Sequence, residues 1–378
     1  MTILHIVRNL VTQDSRVLKE TRSIQQTGFY EAVEIAGFHE PGHLEEENLE
    51  GRIVRRFRLS TRPLPKDIFS QSIKYAEWYT RLVRYYRQQP LEVIHCHDLA
   101  PLPIAVRLRN LTGARLIYDA HELETETVGS HGVRKALARR TENRLIPCVD
   151  QMITVSPSIR DWYQDHFPGT PISLVRNIPQ HPERHATPQP LREELGVPDD
   201  ALLFIYLGGL GRGRGIELAL EAFRDERVPH HVLFMGDGPL REAIQEAGKV
   251  CAQIHFRSPV PPAEVLDHAA GADVGLCLYE DTCLNHRYCL PNKLFESLLS
   301  GLPVLASDLP DQARIVREYQ AGWVVSNDSG EIAKILAHLD LEQVQAIREG
   351  LKERIRGLCW ENEEQALVTV YRELRGGG

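Results

Sequence analysis

Short apolar runs alternate with amphipathic stretches almost from end to end of the chain. Residues 3–7, 33–38, 93–97, 116–119, 152–155 and 173–175 predict strands in the first half, while residues 16–26 and 68–88 carry helical periodicity. Runs rich in Val and Ile and separated by helices imply parallel sheets covered on both faces. The pattern lapses over "NIPQHPERHATPQPLREELGVPDD" (residues 177–200), where five prolines and no sustained period predict a linker with one short helix. It then resumes with strands at 202–207, 232–236, 253–256, 274–278, 304–307 and 323–325. The expected fold is therefore α/β, two tandem doubly wound, Rossmann-like domains with a cleft between them. The predicted boundaries are 1–180, a linker at 181–200, and 201–359. A final amphipathic helix at 360–374 carries Ala366, Leu367, Val370 and Tyr371 on one side.

Composition changes this picture little. Charged residues make up 25% and hydrophobic ones 42% of the 378 residues, an ordinary globular balance. No apolar run is long enough to cross a bilayer and the chain opens directly on strand-like sequence, so a cytoplasmic protein is expected. Seven cysteines without a C-x-x-C pair fit reduced thiols. Cys283, His286 and Cys289 have spacings that zinc could use. The blander reading, loop and core thiols, is preferred because a fourth ligand such as Cys277 would sit on a buried strand.

Charge is uneven. Residues 1–180 carry 24 Lys and Arg against 21 Asp and Glu, a net +3, which leaves −11 for the remainder of a chain of net −8. Basic residues crowd "RIVRRFRLSTR" (residues 52–62) and "VRKALARRTENR" (residues 133–144). Such runs are either solvated faces or a surface for an anionic acceptor or membrane. Basic and aromatic residues do not interleave, so no nucleic acid is expected.

Ligands of doubly wound sheets sit beyond the carboxyl ends of the strands. The polar residues there include Arg8, Asn9, His97, Asp98, Asp119, His121 and Glu122 in the first half. In the second half they include Gly236, Asp237 and the stretch "YLGGLGRGRGIELALEAF" (residues 206–223). That stretch is neither a dinucleotide fingerprint, because Arg214 stands where the third Gly belongs, nor a P-loop. Its glycines let backbone approach an anion, and Arg212 or Arg214 can add a bidentate contact; the competing reading is a turn with solvated arginines. In "NHRYCLPNKLFESLLSGLPVLASD" (residues 285–308) a helix is predicted to start near Pro291. Lys293 in its first turn opposes the helix dipole unless an anion offsets it, and Glu296 lies three residues on.

These stretches, with "FMGDGPLREAI", "VIHCHD", "LIYDAHE" and "ITVSPSIRDWY", resemble the GT-B glycosyltransferases of family four over nearly the whole chain. The resemblance implies a retaining, hexosyl-type enzyme that uses a nucleotide-diphosphate sugar as substrate, with no cofactor and no metal. It implies a glycan or lipid-linked acceptor in surface-polysaccharide or glycoconjugate assembly. The N-terminal domain would take the acceptor side, the C-terminal domain the nucleotide sugar, and the last helix would cross back onto the N-terminal domain.

Carried over residue by residue, Glu296 would hold the donor ribose, and Arg214 and Lys293 the diphosphate. Gly209, Arg212, Gly236, Asp237, Tyr288 and Leu290 complete the expected donor set. His121 would lie near the transferred sugar, with His97, Asp98 and Glu122 around the reacting centre. Three positions depart from the pattern. Tyr288 replaces the first Glu of Glu-x7-Glu, Gly209 an arginine, and "NLVTQDSRVLKE" a Gly-Gly turn, leaving Asp14 and Arg16 as polar candidates. No Asp-x-Asp stands at a strand end to hold a metal, and no carboxylate is placed as a nucleophile. A front-face route, with the leaving phosphate helping to deprotonate the acceptor, is the expectation. Peripheral contact with the inner face of a membrane, through the basic N-terminal domain, is a further one. A GT-B epimerase or phosphorylase and a non-catalytic nucleotide-sugar binder remain as alternatives.

Overall fold

The computed structural model describes residues 1–12, 14–180 and 186–376, so residues 181–185 of the expected linker lie outside the described residues. It divides into two compact units, Met1–Arg176 with Glu364–Gly378, and Asn177–Glu363. Each is built on its own sheet.

The first unit holds β1 (Thr2–Ile6), β2 (Ala32–Phe38), β3 (Glu46–Leu49), β4 (Arg52–Phe57), β5 (Leu91–His97), β6 (Arg115–Ala120), β7 (Gln151–Thr154) and β8 (Ile172–Leu174). They lie in the order β3-β4-β2-β1-β5-β6-β7-β8, parallel except for β3 against β4. The order reverses between β1 and β5, which opens a crevice at their carboxyl ends. The helix Ser15–Gln26 follows β1. Asp14 caps it by accepting a bond from Val17 N and also accepts Asn9 Nδ2, so side chains shape the turn where the sequence lacks Gly-Gly.

The pair β3–β4 escapes the sequence reading. "RIVRRF" is a strand whose Arg52 and Arg56 face inward beside Val54, and its arginines are spoken for. Arg52 reaches Leu18 O, Thr21 and Glu50; Arg55 bridges Glu34 and Glu46; Arg56 meets Glu47; Arg58 and Arg62 face Glu45 and Glu40. Residues 52–62 are thus an internally neutralised edge and not the free basic surface that their spelling suggests.

The second unit carries β9 (Leu203–Leu207), β10 (His231–Met235), β11 (Ile254–Arg257), β12 (Val274–Cys277), β13 (Val304–Ser307) and β14 (Gly322–Val325). The order is β11-β10-β9-β12-β13-β14, all parallel, with its reversal between β9 and β12. Apolar clusters cover the sheet: one groups Phe204, Tyr206, Phe223 and Phe234, a second groups Leu290, Leu294 and Phe295. The predicted short helix before β9 is Leu191–Leu195. Its Leu191 is fully buried and its Arg192 pairs with Asp273, which ties this stretch to the second unit. The last helix, Trp360–Gly376, spans the division between units. Its Tyr371 is buried in the first, edge-on to Tyr30 with centroids 6.1 Å apart.

One buried ion pair ties the first unit together. Arg16, 2% exposed, places Nε and Nη2 on the two Asp119 oxygens at 2.9 and 2.8 Å. It also meets Glu20 Oε1 at 2.9 Å and donates to Val175 O at 3.1 Å. Removing one partner of a buried pair strands the other charge. Arg16→Ala is expected to cost about 3–5 kcal/mol of unfolding free energy in urea denaturation. Arg22→Ala, which breaks an exposed pair with Glu50, should cost under about 1 kcal/mol. Equal costs for the two would contradict this account.

Candidate active site

Each unit gathers polar side chains at its strand-order reversal. In the first, β5 ends in His97 and Asp98, and β6 leads into His121. His121 Nε2 lies 3.0 Å from Asp119 Oδ2, and its Nδ1 lies 3.4 Å from Asp98 Oδ1. Burial alone would lower this imidazole, but Asp98 and Asp119 outweigh it and lift His121 to about 9, so it is a cation at neutral pH. His97, 2% exposed, behaves oppositely: burial and the neighbouring His95 bring it down to about 3. Its ring joins His121 and His5, with Nδ1 3.2 Å from His121 Nε2 and Nε2 3.0 Å from His5 Nδ1.

Asp98 adopts φ +67°, a left-handed conformation costly for a residue with a side chain. Its N–H is held by Asp119 O at 2.9 Å, so the strain is imposed by the sheet and turns the carboxylate towards His121. Burial raises the Asp98 carboxyl, with His121 opposing.

Of the four expected reacting-centre residues, His97, Asp98 and His121 come together. Glu122 is exposed at the rim, and its charge still reaches Asp98. The carboxylate that turns back is Glu124, which accepts Leu99 N and is pushed up to about 7, first by burial and then by Asp98. The sequence reading missed Glu124, and it gave no part to His5, Glu20 or His95, all fully buried beside this group. Register partnership of His5 with His95 across β1 and β5 brings them together, a pairing that no local motif announces.

In the second unit the glycine loop follows β9. Tyr206 Oη donates to Gly209 O at 3.0 Å, and Leu210 N to Asp237 O at 2.9 Å, which ties the loop to the turn after β10. Gly236 is required: a Cβ there would stand 1.8 Å from Gly208 O. Gly209, where an arginine was expected, lets Arg214 fold over it, since a Cβ at 209 would lie 3.0 Å from Arg214 Nη1. Arg214 is half-buried, whereas Arg212 is exposed. Asp237 is largely exposed and faces Arg241 at 3.7 Å. The following helix, Ile216–Ala222, is shorter than its periodicity suggests.

Lys293 opens the helix Asn292–Leu299 and is 5% exposed. Its Nζ makes no hydrogen bond and hangs 3.5 Å from the Tyr206 ring centroid and 4.8 Å from that of Tyr279. Burial and the charge of Arg214 bring it down to about 7. Arg214 and a lysine at the edge of its charged range therefore share this pocket edge, and among the described residues no carboxylate forms an ion pair with either. Glu296 and Tyr288 are half-buried on adjacent helices. Leu290 is 5% exposed with its side chain in the core, so only its backbone is left to meet a ligand. Cys283 Sγ accepts His286 N and caps the helix Leu284–Tyr288, the role of a loop thiol.

Comparison with known proteins gives these sites a context. Residues 15–177 match the family model "Glycosyl transferase 4-like domain", and residues 201–340 match "Glycosyl transferases group 1". The chain is 23% identical over 350 residues to the uncharacterized glycosyltransferase MJ1607 of Methanocaldococcus jannaschii, covering 87% of this chain and 86% of that protein. It is 21% identical over 315 residues to the phosphatidyl-myo-inositol mannosyltransferase of Mycolicibacterium smegmatis, covering 79% and 76%. Among solved structures, a sucrose-phosphate synthase from Thermosynechococcus elongatus superposes with a TM-score of 0.81 at 17% identity, covering 100% of both chains. HepE of Anabaena, solved with UDP and glucose, does so with a TM-score of 0.73 at 14% identity, covering 99% of this chain and 100% of that one.

The Lys293 environment fixes a pH dependence. Below about pH 7 the native state buries an ammonium at a cost that the unfolded chain does not share. Between about 7 and the ordinary lysine value of 10.5 the unfolded chain holds a proton that the native state has released, so stability rises with pH. Lys293→Met should therefore raise the unfolding free energy at pH 6, on a scale of about 1.4 kcal/mol per unit of pKa displacement. The gain should shrink steadily as pH approaches 10. A gain that is constant with pH, or a loss at pH 6, would show that Lys293 is not held in this way.

Proposed function

The chain belongs to the glycosyltransferases of GT-B fold, and on that premise we propose that it transfers a hexosyl unit from a nucleotide-diphosphate sugar to a glycan or lipid-linked acceptor, with retention. The observation that carries the reading is the pair Arg214 and Lys293. One is half-buried, the other buried at 5% exposure, and among the described residues no carboxylate forms an ion pair with either. Holding a lysine there costs stability that an arriving diphosphate would return. Leaving-group charge would fall on these two side chains and on the N–H groups of the glycine loop, the positioned electrostatic help that dominates such steps. Glu296 would take the ribose hydroxyls, and His121, a cation on the acceptor-side unit, would stand by the transferred sugar. Protein cations would do at the diphosphate what a metal does elsewhere, and the leaving phosphate would help to deprotonate the acceptor on the same face. The UDP and glucose of HepE support the donor class, and the name of the phosphatidyl-myo-inositol mannosyltransferase supports a lipid-linked acceptor in glycoconjugate assembly. Tyr288, in place of the first motif Glu, keeps a non-catalytic sugar-nucleotide binder as a second reading, which acceptor-dependent donor consumption would reject.

A peripheral membrane contact belongs to this reading, at a place different from the first basic run. The helix Gly132–Leu145 exposes Val133 and Leu137, at 84% and 64%, beside Arg134, Arg140 and Arg144, which form no ion pair among the described residues. Among the described residues no helix is long and apolar enough to cross a membrane.

Two experiments test the proposal. Thermal-shift screening with UDP, GDP, ADP and CMP should find one stabilising nucleotide. With the matching donor, Arg214→Ala should lower transfer by about 100- to 1,000-fold, and Glu296→Ala and Lys293→Ala should also be strongly impaired. Near-normal transfer by both Glu296→Ala and Lys293→Ala would sink the site assignment. In flotation at low salt the protein should rise with phosphatidylglycerol vesicles, and Leu137→Glu with Arg140→Glu should abolish this. A wild-type protein that stays unbound would remove the membrane contact while leaving the transfer reading intact.

A further inference from the structure

Behind His121, on the covered face of the first sheet, four donor side chains surround one point. "His-Cys-His" at residues 95–97 is a strand, and residues two apart on a strand share a face. His95 and His97 accordingly stack with ring centroids 4.3 Å apart and planes 9° from parallel. Asp119 comes from β6, and Glu20 comes from the helix that covers β1. His95, Glu20 and Asp119 are 0% exposed and His97 is 2% exposed. One donor atom from each of the four lies within 4.8 Å of all the others. His95 Nε2 stands 3.7 Å from Asp119 Oδ2 and 3.9 Å from Glu20 Oε2, and His97 Nδ1 stands 3.3 Å from Asp119 Oδ2.

Two of these atoms, His95 Nε2 and Glu20 Oε2, are buried and make no hydrogen bond. An unsatisfied buried polar atom costs about 1–3 kcal/mol, and two that face each other call for a common partner. At 3.9 Å they are too far apart to share a proton directly. The other atoms of the same groups are already committed. His95 Nδ1 meets Tyr371 Oη at 2.5 Å, His97 Nε2 meets His5 Nδ1, and Glu20 Oε1, which makes no hydrogen bond either, lies 2.9 Å from Arg16 Nε as an ion pair. That is the arrangement of metal ligands, whose outer atoms are held by neighbours so that the inner ones converge. Bonds of about 2.0–2.2 Å in a tetrahedron place donors roughly 3.3–3.6 Å apart, so a small contraction of the observed set would close around an ion.

We propose that His95, His97, Glu20 and Asp119 bind a divalent transition metal of the zinc class, with His95 Nε2 and Glu20 Oε2 as its firmest ligands. Arg16 holds Glu20 Oε1 and both Asp119 oxygens, including the Oδ2 that faces the histidines and also meets His121 Nε2, so it orients the two carboxylates and lowers their appetite for a second cation. Binding should therefore be specific without the extreme affinity of an all-thiolate site. The site lies on a different unit from Arg214 and Lys293 and does not rest on the transfer reading.

The test uses the full-length protein, stripped with a chelator and titrated with Zn2+, and with Co2+ as a spectroscopic probe. One equivalent of each should bind, raise the unfolding temperature to a plateau at that ratio, and give Co2+ the intense visible absorption of a tetrahedral complex. His95→Gln and Glu20→Gln should each weaken binding about tenfold or more. His255→Gln, which alters a pair with His231 in the second unit, should leave it unchanged. The proposal falls if the wild-type protein takes up no stoichiometric metal, if bound Co2+ is purely octahedral, or if His95→Gln binds like wild type. The wild-type titration and spectrum decide even if a variant fails to fold.

Discussion

A guanidinium taken almost wholly out of water must meet carboxylate or carbonyl oxygens at every N–H it can, and the first unit is arranged around that requirement at Arg16. Asp119 supplies two oxygens from β6, Glu20 one from the same helix, and Val175 a carbonyl just beyond β8. The Coulomb gain offsets desolvation only if those oxygens stay in place, so the ion pair fixes how the helix Ser15–Gln26 lies on the sheet. It also decides the state of the residues around it. Asp119 is held ionised, well below the usual carboxylate range, because Arg16 and His121 outweigh its burial. That anion then helps to keep His121 charged while His97, one step deeper, is neutral. The buried contact thus helps to hold His121 as a cation, while burial and the stacked His95 keep His97 neutral behind it.

What could be read from the sequence follows the range of the interactions involved. The alternation of strands and helices is local, and it gave the two sheets with most of their strands. The glycine loop is legible too, because its glycines and arginines are spelled within a few residues, although the contact that requires Gly236 is with Gly208 on the neighbouring strand end. The strand Arg52–Phe57 was misread because arginines on an inward face spell the same as arginines on a solvated one. Glu34, on a neighbouring strand, and Leu18 O, on a helix, make the difference. His5, Glu20 and His95 carry no local signal for the same reason, since strand register and helix placement alone bring them together. Glu122 adjoins the motif histidine and so is legible locally, whereas Glu124 is brought inward only by the turn Glu124–Glu126.

The two strand-order reversals solve one geometric problem in different ways. Where neighbouring parallel strands send their connections to opposite faces, backbone diverges and leaves a crevice that side chains or a ligand must fill. In the second unit the chain thins itself out: a Cβ at Gly236, Gly238 or Gly215 would come within 1.8 to 2.6 Å of a neighbouring atom, so only bare backbone lines that crevice. Bare backbone presents N–H groups, and the nearby charges are positive, so the crevice suits an anion that arrives from outside. In the first unit the crevice is lined from within by imidazoles and carboxylates anchored on Arg16. Such a network holds one residue, His121, at its mouth in a charged state. The chemical asymmetry between the units thus follows from what each puts into the same gap. The local costs, a left-handed Asp98 in one and a desolvated Lys293 in the other, fall where sequence and fold disagree because the site requires it.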